Sequence, residues 1–286
     1  MLSLSKYFIL SILLFHINCS IFKKNKINIY PNSLSGSIIY FSELDKQYKR
    51  QNSFNKSWSK LTSKRYKPYH RFRNKQYVVS GHYQYLNKYY IIIEDVRGRM
   101  FKKKINSVID SIITLPSYIF FKETKNQAEE LIGNSIWLNN PDDKINFYTL
   151  SDHNFKRFEK VFVLGIIDFQ NNDNDFPLWL RVESKTGELG FVRFNGEEGR
   201  TGFKDHYFTT NPIPSEWGKE MIKQILARKT KIGMTKKQVS VAIGNPFKIN
   251  ITSSRHGISE QWVYKNKYDE IIYYQFDDET LTYTSK

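Results

Sequence analysis

The chain is poor in cysteine and in long apolar runs. Among its 286 residues only Cys19 carries a thiol, so no intramolecular disulfide can form. Beyond the N-terminal leader, no segment reaches the ~18 consecutive apolar residues expected of a membrane-spanning helix. The body of the protein is therefore predicted to fold in water. Its domains must be held together by buried apolar surface, and aromatic residues, 16% of the sequence, supply large side chains for it.

Motifs of the common catalytic and metal-binding classes are also missing. The sequence contains no H-E-x-x-H, no G-x-S-x-G and no Walker-type G-x-x-x-x-G-K-[ST]. An Asp/Asn-rich stretch at 168–175 lacks the central Gly and the final Glu of an EF-hand, and a polar hairpin tip is its simpler interpretation. The histidines that follow the leader are isolated from one another: His70, His82, His153, His206 and His256. We predict a non-enzymatic protein with no catalytic residues, no metal and no cofactor.

The first residues are typical of an export signal. Lys6 supplies a positive charge, residues 7–17 form an almost unbroken apolar run, and Cys19 follows two residues later. A run of this length matches the core of a signal peptide and is too short to cross a bilayer.

The position of Cys19 resembles that of the lipid-accepting cysteine of bacterial lipoproteins, with His16 and Asn18 where the usual box has Leu and a small residue. This resemblance implies that residues 1–18 are removed and that Cys19 carries a lipid anchor. It places the chain in the cell envelope, on the periplasmic or the surface face of the outer membrane. The alternative is an ordinary secretory signal in which Cys19 merely lies near the cleavage point.

Positive charge is concentrated in one segment. Residues 46–104 hold 17 Lys and Arg against only Glu94 and Asp95, and the whole chain carries a net charge of +16. Such a segment is expected to be drawn to anionic surfaces, with an attraction that salt screens. The residues that we expect to carry this binding are Lys64, Arg65, Arg71 and Arg73. The alternative is a solvated basic face without a dedicated ligand.

Two stretches of the chain match block by block, which indicates a duplicated β-module. The matching blocks are 36–41 with 133–138, 75–81 with 160–165, and 89–94 with 178–183. Each is a short run of β-branched and aromatic residues bounded by Gly, Asn or Asp, as strands and hairpins are. A short helix is predicted at 126–132 between the copies. The segment 46–74 has no counterpart and is either an ordered insertion or a mobile loop.

The second copy carries a W-x-x-V strand, a turn and a G-x-x-G-F-V strand. Trp179 begins the first of these strands, Gly187 lies in the turn, and Gly190 lies in the second strand. This pattern resembles bacterial SH3-like domains, which are small, strongly bent five-stranded barrels. Gly187 and Gly190 are turn and bulge candidates, and Trp179 and Trp137 are interpreted as barrel core.

The last seventy residues predict two helices and three strands. An apolar stripe marks a helix at 220–228. Thr235 and Gln238 form a capping box that opens a second helix, and Gly244 is placed to end it in a left-handed conformation. The strands are expected at 261–264, 271–276 and 281–283.

This C-terminal pattern is similar to the SmpA/OmlA family of small outer-membrane lipoproteins. The residues that carry the similarity are Gly233, Met234, Thr235, Val239, Gly244, Pro246, Trp262, Tyr264 and Phe276. The resemblance implies two helices packed on a three-stranded antiparallel sheet. It also brings the expectation of a role beside the machinery that inserts β-barrel proteins, although family members are usually free-standing and this module ends a longer chain.

The sequence thus predicts an α+β, mostly β protein with two small SH3-like β-barrels followed by a two-helix, three-stranded antiparallel sheet domain. The predicted boundaries are 1–18 for the signal peptide, 19–33 for a linker, 34–115 for the basic first module, 131–210 for the second module and 216–286 for the SmpA/OmlA-like domain.

The predicted function is that of an envelope lipoprotein acting as an interaction or scaffold protein at the outer membrane, with envelope or outer-membrane protein assembly as one such role. Its expected partners are the membrane, through the lipid anchor, and an envelope protein or wall polymer. The alternative is a surface lipoprotein that binds acidic glycans through the basic first module. Lipid head groups are further candidate ligands, and the export leader argues against nucleic acid.

Overall fold

The computed structural model describes residues 27–43, 52–105, 115–116, 118–168, 178–194, 196, 205–254, 257–266 and 268–285. The leader, Cys19 and the Asp/Asn-rich stretch beyond Asp168 lie outside these ranges. The chain divides into two compact units. The first unit comprises the described residues of 27–37, 52–68 and 77–105, and the second comprises 38–43, 69–76 and those from 115 onward.

Strands account for most of the regular structure. The strands are β1 (Ile38–Phe41), β2 (Trp58–Lys60), β3 (Tyr66–Lys67), β4 (Gln76–Tyr85), β5 (Lys88–Glu94), β6 (Met100–Ile105), β7 (Ile119–Phe121), β8 (Ser135–Leu138), β9 (Phe147–Thr149), β10 (Lys160–Asp168), β11 (Leu178–Glu183), β12 (Leu189–Arg193), β13 (Tyr207–Phe208), β14 (Lys248–Ser254), β15 (Gly257–Lys265), β16 (Ile271–Asp277) and β17 (Thr280–Thr284). The described helices are α1 (Asn52–Asn55), α2 (Lys122–Glu129), α3 (Lys219–Leu226) and α4 (Lys236–Ile243), with 3₁₀ turns at Tyr69–Arg71 and Ser215–Trp217. The predicted α+β, mostly β class is confirmed.

The first unit is built on five antiparallel strands in the order β3-β2-β6-β5-β4. One face carries apolar side chains that are buried: Trp58, Val79, Ile91, Ile93 and Phe101. Alternation along the strands places Lys102 and Lys104 on the other face with Tyr83 and Tyr90, whereas Lys103 pairs with Ile91 and shares the apolar face. Residues 52–68 of the segment 46–74 thus contribute a short helix and the β2–β3 hairpin to this unit.

An N-terminal segment lies along β4 and depends on a glycine. The backbone of Tyr30 exchanges two hydrogen bonds of 2.8 Å with His82. At Gly81 φ is +136°, and a Cβ there would stand 2.2 Å from the carbonyl oxygen of Tyr30. Glycine is therefore required, because any side chain would push this segment off the strand.

The second unit contains a curled six-stranded sheet in the order β13-β8-β10-β11-β12-β9. Its apolar face buries side chains from both end strands, Tyr207 of β13 and Phe147 of β9, and from the strands between them, including Val163 and Leu180. Helix α2 closes this core through Ala128, which is fully buried. The helix spans Lys122–Glu129, about one turn earlier than predicted.

The repeat seen in the sequence recurs in backbone hydrogen bonds. In the first copy Gly36 N–H donates to Val79 O (2.8 Å) and Val79 N–H donates to Ser37 O (3.0 Å). In the second copy Gly133 N–H donates to Val163 O (2.9 Å), and Val163 N–H donates to Asn134 O (2.9 Å).

A bulge also falls at the matching place in each copy. It lies between Val79 and Gly81 in β4 and between Val163 and Gly165 in β10. Both copies therefore bend their longest strand at the same point, at residues that the sequence alignment matches.

The second copy shows the roles of the two glycines, Gly187 and Gly190, that the sequence marked as turn and bulge candidates. Gly187 lies in the β11–β12 turn with φ +86°, as predicted. Gly190 is not in a bulge, since it pairs in regular register with Val182. Its role is close packing, because a Cβ at Gly190 would stand 2.9 Å from Cζ of Phe147. Trp179 is fully buried, as predicted, with the Arg193 guanidinium 4.8 Å from its ring centre.

The C-terminal sheet has four strands in the order β14-β15-β16-β17, so the prediction of three strands was wrong. The missed strand, β14, pairs with β15 over its whole length. Its isoleucines Ile249 and Ile251 stay partly or largely exposed. A strand of this kind contributes little to the core, so its sequence shows no clear buried face.

The helices of this part of the chain begin and pack as predicted. The capping box of α4 is present: Gln238 N–H donates to Oγ1 of Thr235 (3.2 Å), and Thr235 N–H donates to Oε1 of Gln238 (2.9 Å). Gly244 ends the helix with φ +92° and ψ −175°, a positive φ but not the left-handed helical conformation that was expected. Met234, Val239 and Phe276 are fully buried between helices and sheet.

The loop before β10 fixes the C-terminal helices to the six-stranded sheet. Arg157 donates to the carbonyl oxygen of Ile225 (2.9 Å) at the end of α3 and to those of Val241 (2.6 Å) and Ala242 (3.2 Å) at the end of α4. Phe158, the next residue, packs inside the C-terminal core. One guanidinium therefore donates to carbonyl groups at two helix ends, where the helix dipoles favour a cation.

Candidate anion-binding groove of the first unit

The strand register of the first unit gathers lysines and tyrosines on one face. Directly paired residues of antiparallel strands share a face. Lys104 pairs with Tyr90, and Tyr90 pairs with Tyr83. Lys102 pairs with Ser59 of β2. These side chains form the floor of a concave surface, which we call the lysine groove.

The groove consists of two adjoining cavities. The lysine end, about 310 Å³, is bordered by Lys56, Lys64, Lys88, Lys102, Lys103 and Lys104. The tyrosine end, about 630 Å³, is bordered by Tyr30, Tyr83, Tyr85 and Tyr90. Ser63, Lys64, Tyr90 and Lys102 border both cavities. The two ends therefore adjoin along these shared side chains.

The positive charge of the groove has no acidic counterpart. Among the described residues, no carboxylate lies within 4.0 Å of any of the six lysine ammonium groups, and no Asp or Glu borders either cavity. Elsewhere in the same unit a pair does form, between Arg99 and Asp95 at 2.6 Å. Lys103 borders the lysine end but pairs with Ile91 of the apolar face, so the groove cations are Lys56, Lys64, Lys88, Lys102 and Lys104. Five ammonium groups without a described carboxylate nearby give the concavity a positive potential.

Lys102 is held in place at the junction of the two ends. Its Nζ donates to the carbonyl oxygen of Leu61 (2.8 Å) and to the Tyr83 hydroxyl (3.3 Å). It also lies 5.5 Å from the ring centre of Tyr90. These contacts hold the Lys102 ammonium at the junction before any ligand arrives.

The structure assigns different places to the four predicted residues. Lys64 borders both ends of the groove. Arg65 follows it in the β2–β3 turn, where its N–H donates to Oγ of Ser63 (3.0 Å). Arg71 and Arg73 belong to the second unit, and Arg73 pairs with Glu43 at 2.7 Å.

Sequence reasoning missed the lysines of the strands themselves. Lys102, Lys103 and Lys104 are consecutive in β6, and Lys88 opens β5. The available signal was the hairpin: once β5 and β6 are paired, Lys104 falls beside Tyr90. The contribution of β2 and its turn could not be read locally, because β2 reaches β6 across about forty residues of chain.

The groove offers groups that bind anions and hydroxyls. Its described border carries ammonium, hydroxyl, amide and phenol groups, and no carboxylate, histidine or thiol side chain among the described residues. Across the described ranges, no group of three or more His, Cys, Asp or Glu side chains is placed to hold a metal ion. None of the helices in those ranges is both long enough and apolar enough to cross a membrane.

Comparisons of the chain with protein-family models, with curated proteins and with solved structures gave no match.

Proposed function

We propose that this chain is a non-enzymatic binding protein that holds an anionic polymer in the lysine groove. The observation that carries the proposal is a set of five lysines, Lys56, Lys64, Lys88, Lys102 and Lys104, around one concavity without a carboxylate among the described residues. Such an arrangement opposes folding, because like charges repel. A dedicated anionic ligand explains why it is kept.

The protein works at the cell envelope, held by a lipid on Cys19. Support comes from the leader before Cys19 and from the SmpA/OmlA-like pattern of the last seventy residues. We further propose that the two copies of the repeat are SH3-like barrels, since they share a bulge and a set of backbone hydrogen bonds. The C-terminal module is a variant of the SmpA/OmlA-like fold in which the sheet has four strands.

The test is binding of the purified chain to immobilised heparin, used as an anionic polymer probe. The variant is Lys64→Gln with Lys88→Gln and Lys104→Gln, three exposed lysines that border the groove. Each lost ammonium removes up to ~1 kcal/mol of ion pairing, so affinity should fall about tenfold or more. Wild-type affinity should also fall steeply between about 50 mM and about 300 mM NaCl.

A matched control separates the groove from net charge. Lys223→Gln, Lys229→Gln and Lys237→Gln remove three exposed lysines of the C-terminal module. Their affinity should stay within about twofold of the wild type. Equal losses in both triple variants, or no binding by the wild type at low salt, would contradict the proposal.

A second candidate function, an interaction scaffold for an envelope protein, is favoured by the β14–β15 hairpin. Ile249, Ile251 and Ile258 lie on the same face as Trp262, which the helices cover, but remain 37%, 67% and 51% exposed. β14 is also an edge strand of its sheet. A photo-crosslinker at Ile251 in cells should capture one envelope protein, and a crosslinker at exposed Lys223 should not. If no protein is crosslinked at Ile251 under several crosslinking conditions, the scaffold function is contradicted.

A further inference from the structure

We infer that the anionic polymer held by the lysine groove is a carbohydrate chain, whose charges bind at the lysine end and whose sugar rings stack at the tyrosine end. This inference rests on the proposed function and narrows its ligand to one chemical class.

The size of the groove and its two adjoining ends fit a chain of several units. Each end has the volume of a pocket that accepts a small molecule, for which ~300–1,000 Å³ is typical. The ends adjoin at Lys102 and Tyr90, which border both. A single anion would occupy only the lysine end, so a ligand that fills both ends must continue beyond its charged group.

The tyrosine end offers aromatic faces to the ligand. Tyr30 is 53% exposed and Tyr85 is 60% exposed, although both border a concavity. Tyr83 and Tyr90 stack behind them with ring centres 5.1 Å apart. An exposed tyrosine ring has an apolar face and a polar hydroxyl tip. This combination matches a sugar ring, which has C–H groups on its faces and hydroxyls around its rim.

Small polar side chains border the whole length of the groove. Ser57, Ser59 and Ser63 lie at the lysine end, and Asn28, Thr62 and Gln84 lie at the tyrosine end. Hydroxyl and amide groups of this kind orient a ligand by hydrogen bonds in an otherwise apolar or charged site. A ligand rich in hydroxyls uses them, whereas a polyphosphate offers no donors to the amide oxygens.

The cations of the groove favour a carbohydrate over a nucleic acid. All the groove cations are lysines, and no arginine among the described residues borders either cavity. Arginine pairs with phosphate through two parallel hydrogen bonds and stacks on bases, which lysine cannot do. Lysine acts as a point charge, which suits the sulfate and carboxylate groups that are spaced along acidic glycans.

The experiment compares the full chain with two double variants on four probes. The probes are a heparin octasaccharide, inorganic polyphosphate, a dT oligonucleotide and phosphatidylglycerol vesicles. The test variant is Tyr30→Ala with Tyr85→Ala. The control variant is Tyr148→Ala with Tyr283→Ala, two tyrosines of the second unit that are 45% and 60% exposed. Thermal melts establish that each variant is folded, and Tyr85→Ala alone serves if the double variant is not.

The test variant is expected to lose about tenfold in affinity for the octasaccharide, from the loss of two stacking rings. Its affinity for polyphosphate should stay within about twofold of the wild type, and the control variant should change neither. The inference is overturned if the tyrosine changes weaken both probes equally or neither. It is also overturned if the oligonucleotide or the vesicles bind more tightly than the octasaccharide at the same salt.

Failure of the carbohydrate inference can be distinguished from failure of the proposed function. A wild-type chain that binds polyphosphate or vesicles through the groove lysines, but not the octasaccharide, refutes the carbohydrate and leaves the proposed function standing. A wild-type chain that binds none of the four probes refutes both.

Discussion

Gly81 is the residue that lets the N-terminal segment around Tyr30 lie against β4. The bulge before Gly81 and its φ of +136° turn the β4 backbone toward the N-terminal segment, which then supplies Tyr30 to the groove. Gly165 occupies the matching bulge of the second copy, yet nothing lies within 4 Å of the Cβ it would carry. Equivalent glycines in a repeat therefore serve different purposes.

We predict that Gly81→Ala destabilises the protein by about 2 kcal/mol or more, because the backbone conformation and the contact with Tyr30 both penalise a side chain. Urea unfolding followed by tryptophan fluorescence measures this change. Octasaccharide affinity should fall as well, since Tyr30 loses its place.

Gly165→Ala is the control, and its stability should stay within about 0.5 kcal/mol of the wild type. If Gly81→Ala is as well tolerated as Gly165→Ala, the N-terminal segment does not lie on β4 in solution.

At the scale of elements, local chemistry was readable and long-range assembly was not. The capping box of Thr235 and Gln238 was predicted because both partners lie within one helical turn. The strands of the repeat were predicted because they alternate or are uniformly apolar. The groove escaped because its lysines come from β2, β5, β6 and the β2–β3 turn, which only the sheet order brings together.

Arg157 was equally invisible in the sequence, because a lone arginine in a loop gives no sign of its partners. It binds carbonyl groups at the ends of α3 and α4, and burial lowers its pKa to about 10. The residues it joins are 68 to 85 positions away in the chain. The attachment of the C-terminal helices thus depends on one side chain that no local pattern marks.

We predict that Arg157→Met lowers the free energy of unfolding by about 2–4 kcal/mol, because several buried carbonyl groups lose a charged donor. Chemical denaturation monitored by circular dichroism provides the measurement. Arg157→Lys should recover only part of the loss, since an ammonium cannot reach three carbonyl groups and an amide oxygen in one plane.

The control is Arg181→Met on β11, where the arginine is exposed. Its effect should be within about 0.5 kcal/mol of zero. Comparable losses at Arg157 and Arg181 would mean that the helix ends do not depend on the guanidinium.

At the scale of the whole molecule, the lysines that are proposed to bind the ligand also lower the stability of the fold. The chain carries a net charge of +16, and the groove holds five lysines without an acidic partner among the described residues. Their mutual repulsion opposes folding, and an anionic ligand relieves it.

We predict that the groove variant Lys64→Gln, Lys88→Gln, Lys104→Gln melts at a higher temperature than the wild type in low salt. The difference should shrink as NaCl is raised, because salt screens the repulsion. Saturating heparin octasaccharide should stabilise the wild type by about 2.7 kcal/mol at a hundredfold excess over its Kd, and should stabilise the groove variant much less.

The control with Lys223, Lys229 and Lys237 changed to Gln has the same net charge as the groove variant. It should melt close to the wild type, which separates local repulsion from total charge. Differential scanning fluorimetry across a salt series distinguishes these cases. A groove variant that is less stable than the wild type at every salt concentration would refute the repulsion.

The hydrogen bonds between Tyr30 and His82 set the length of a tether. If the lipid is on Cys19, only 11 residues separate the membrane surface from Tyr30, which borders the tyrosine end of the groove. A fully extended chain of that length spans at most ~40 Å. The mouth of the groove would then stay within that distance of the bilayer, close enough to meet a polymer that is itself attached to the membrane.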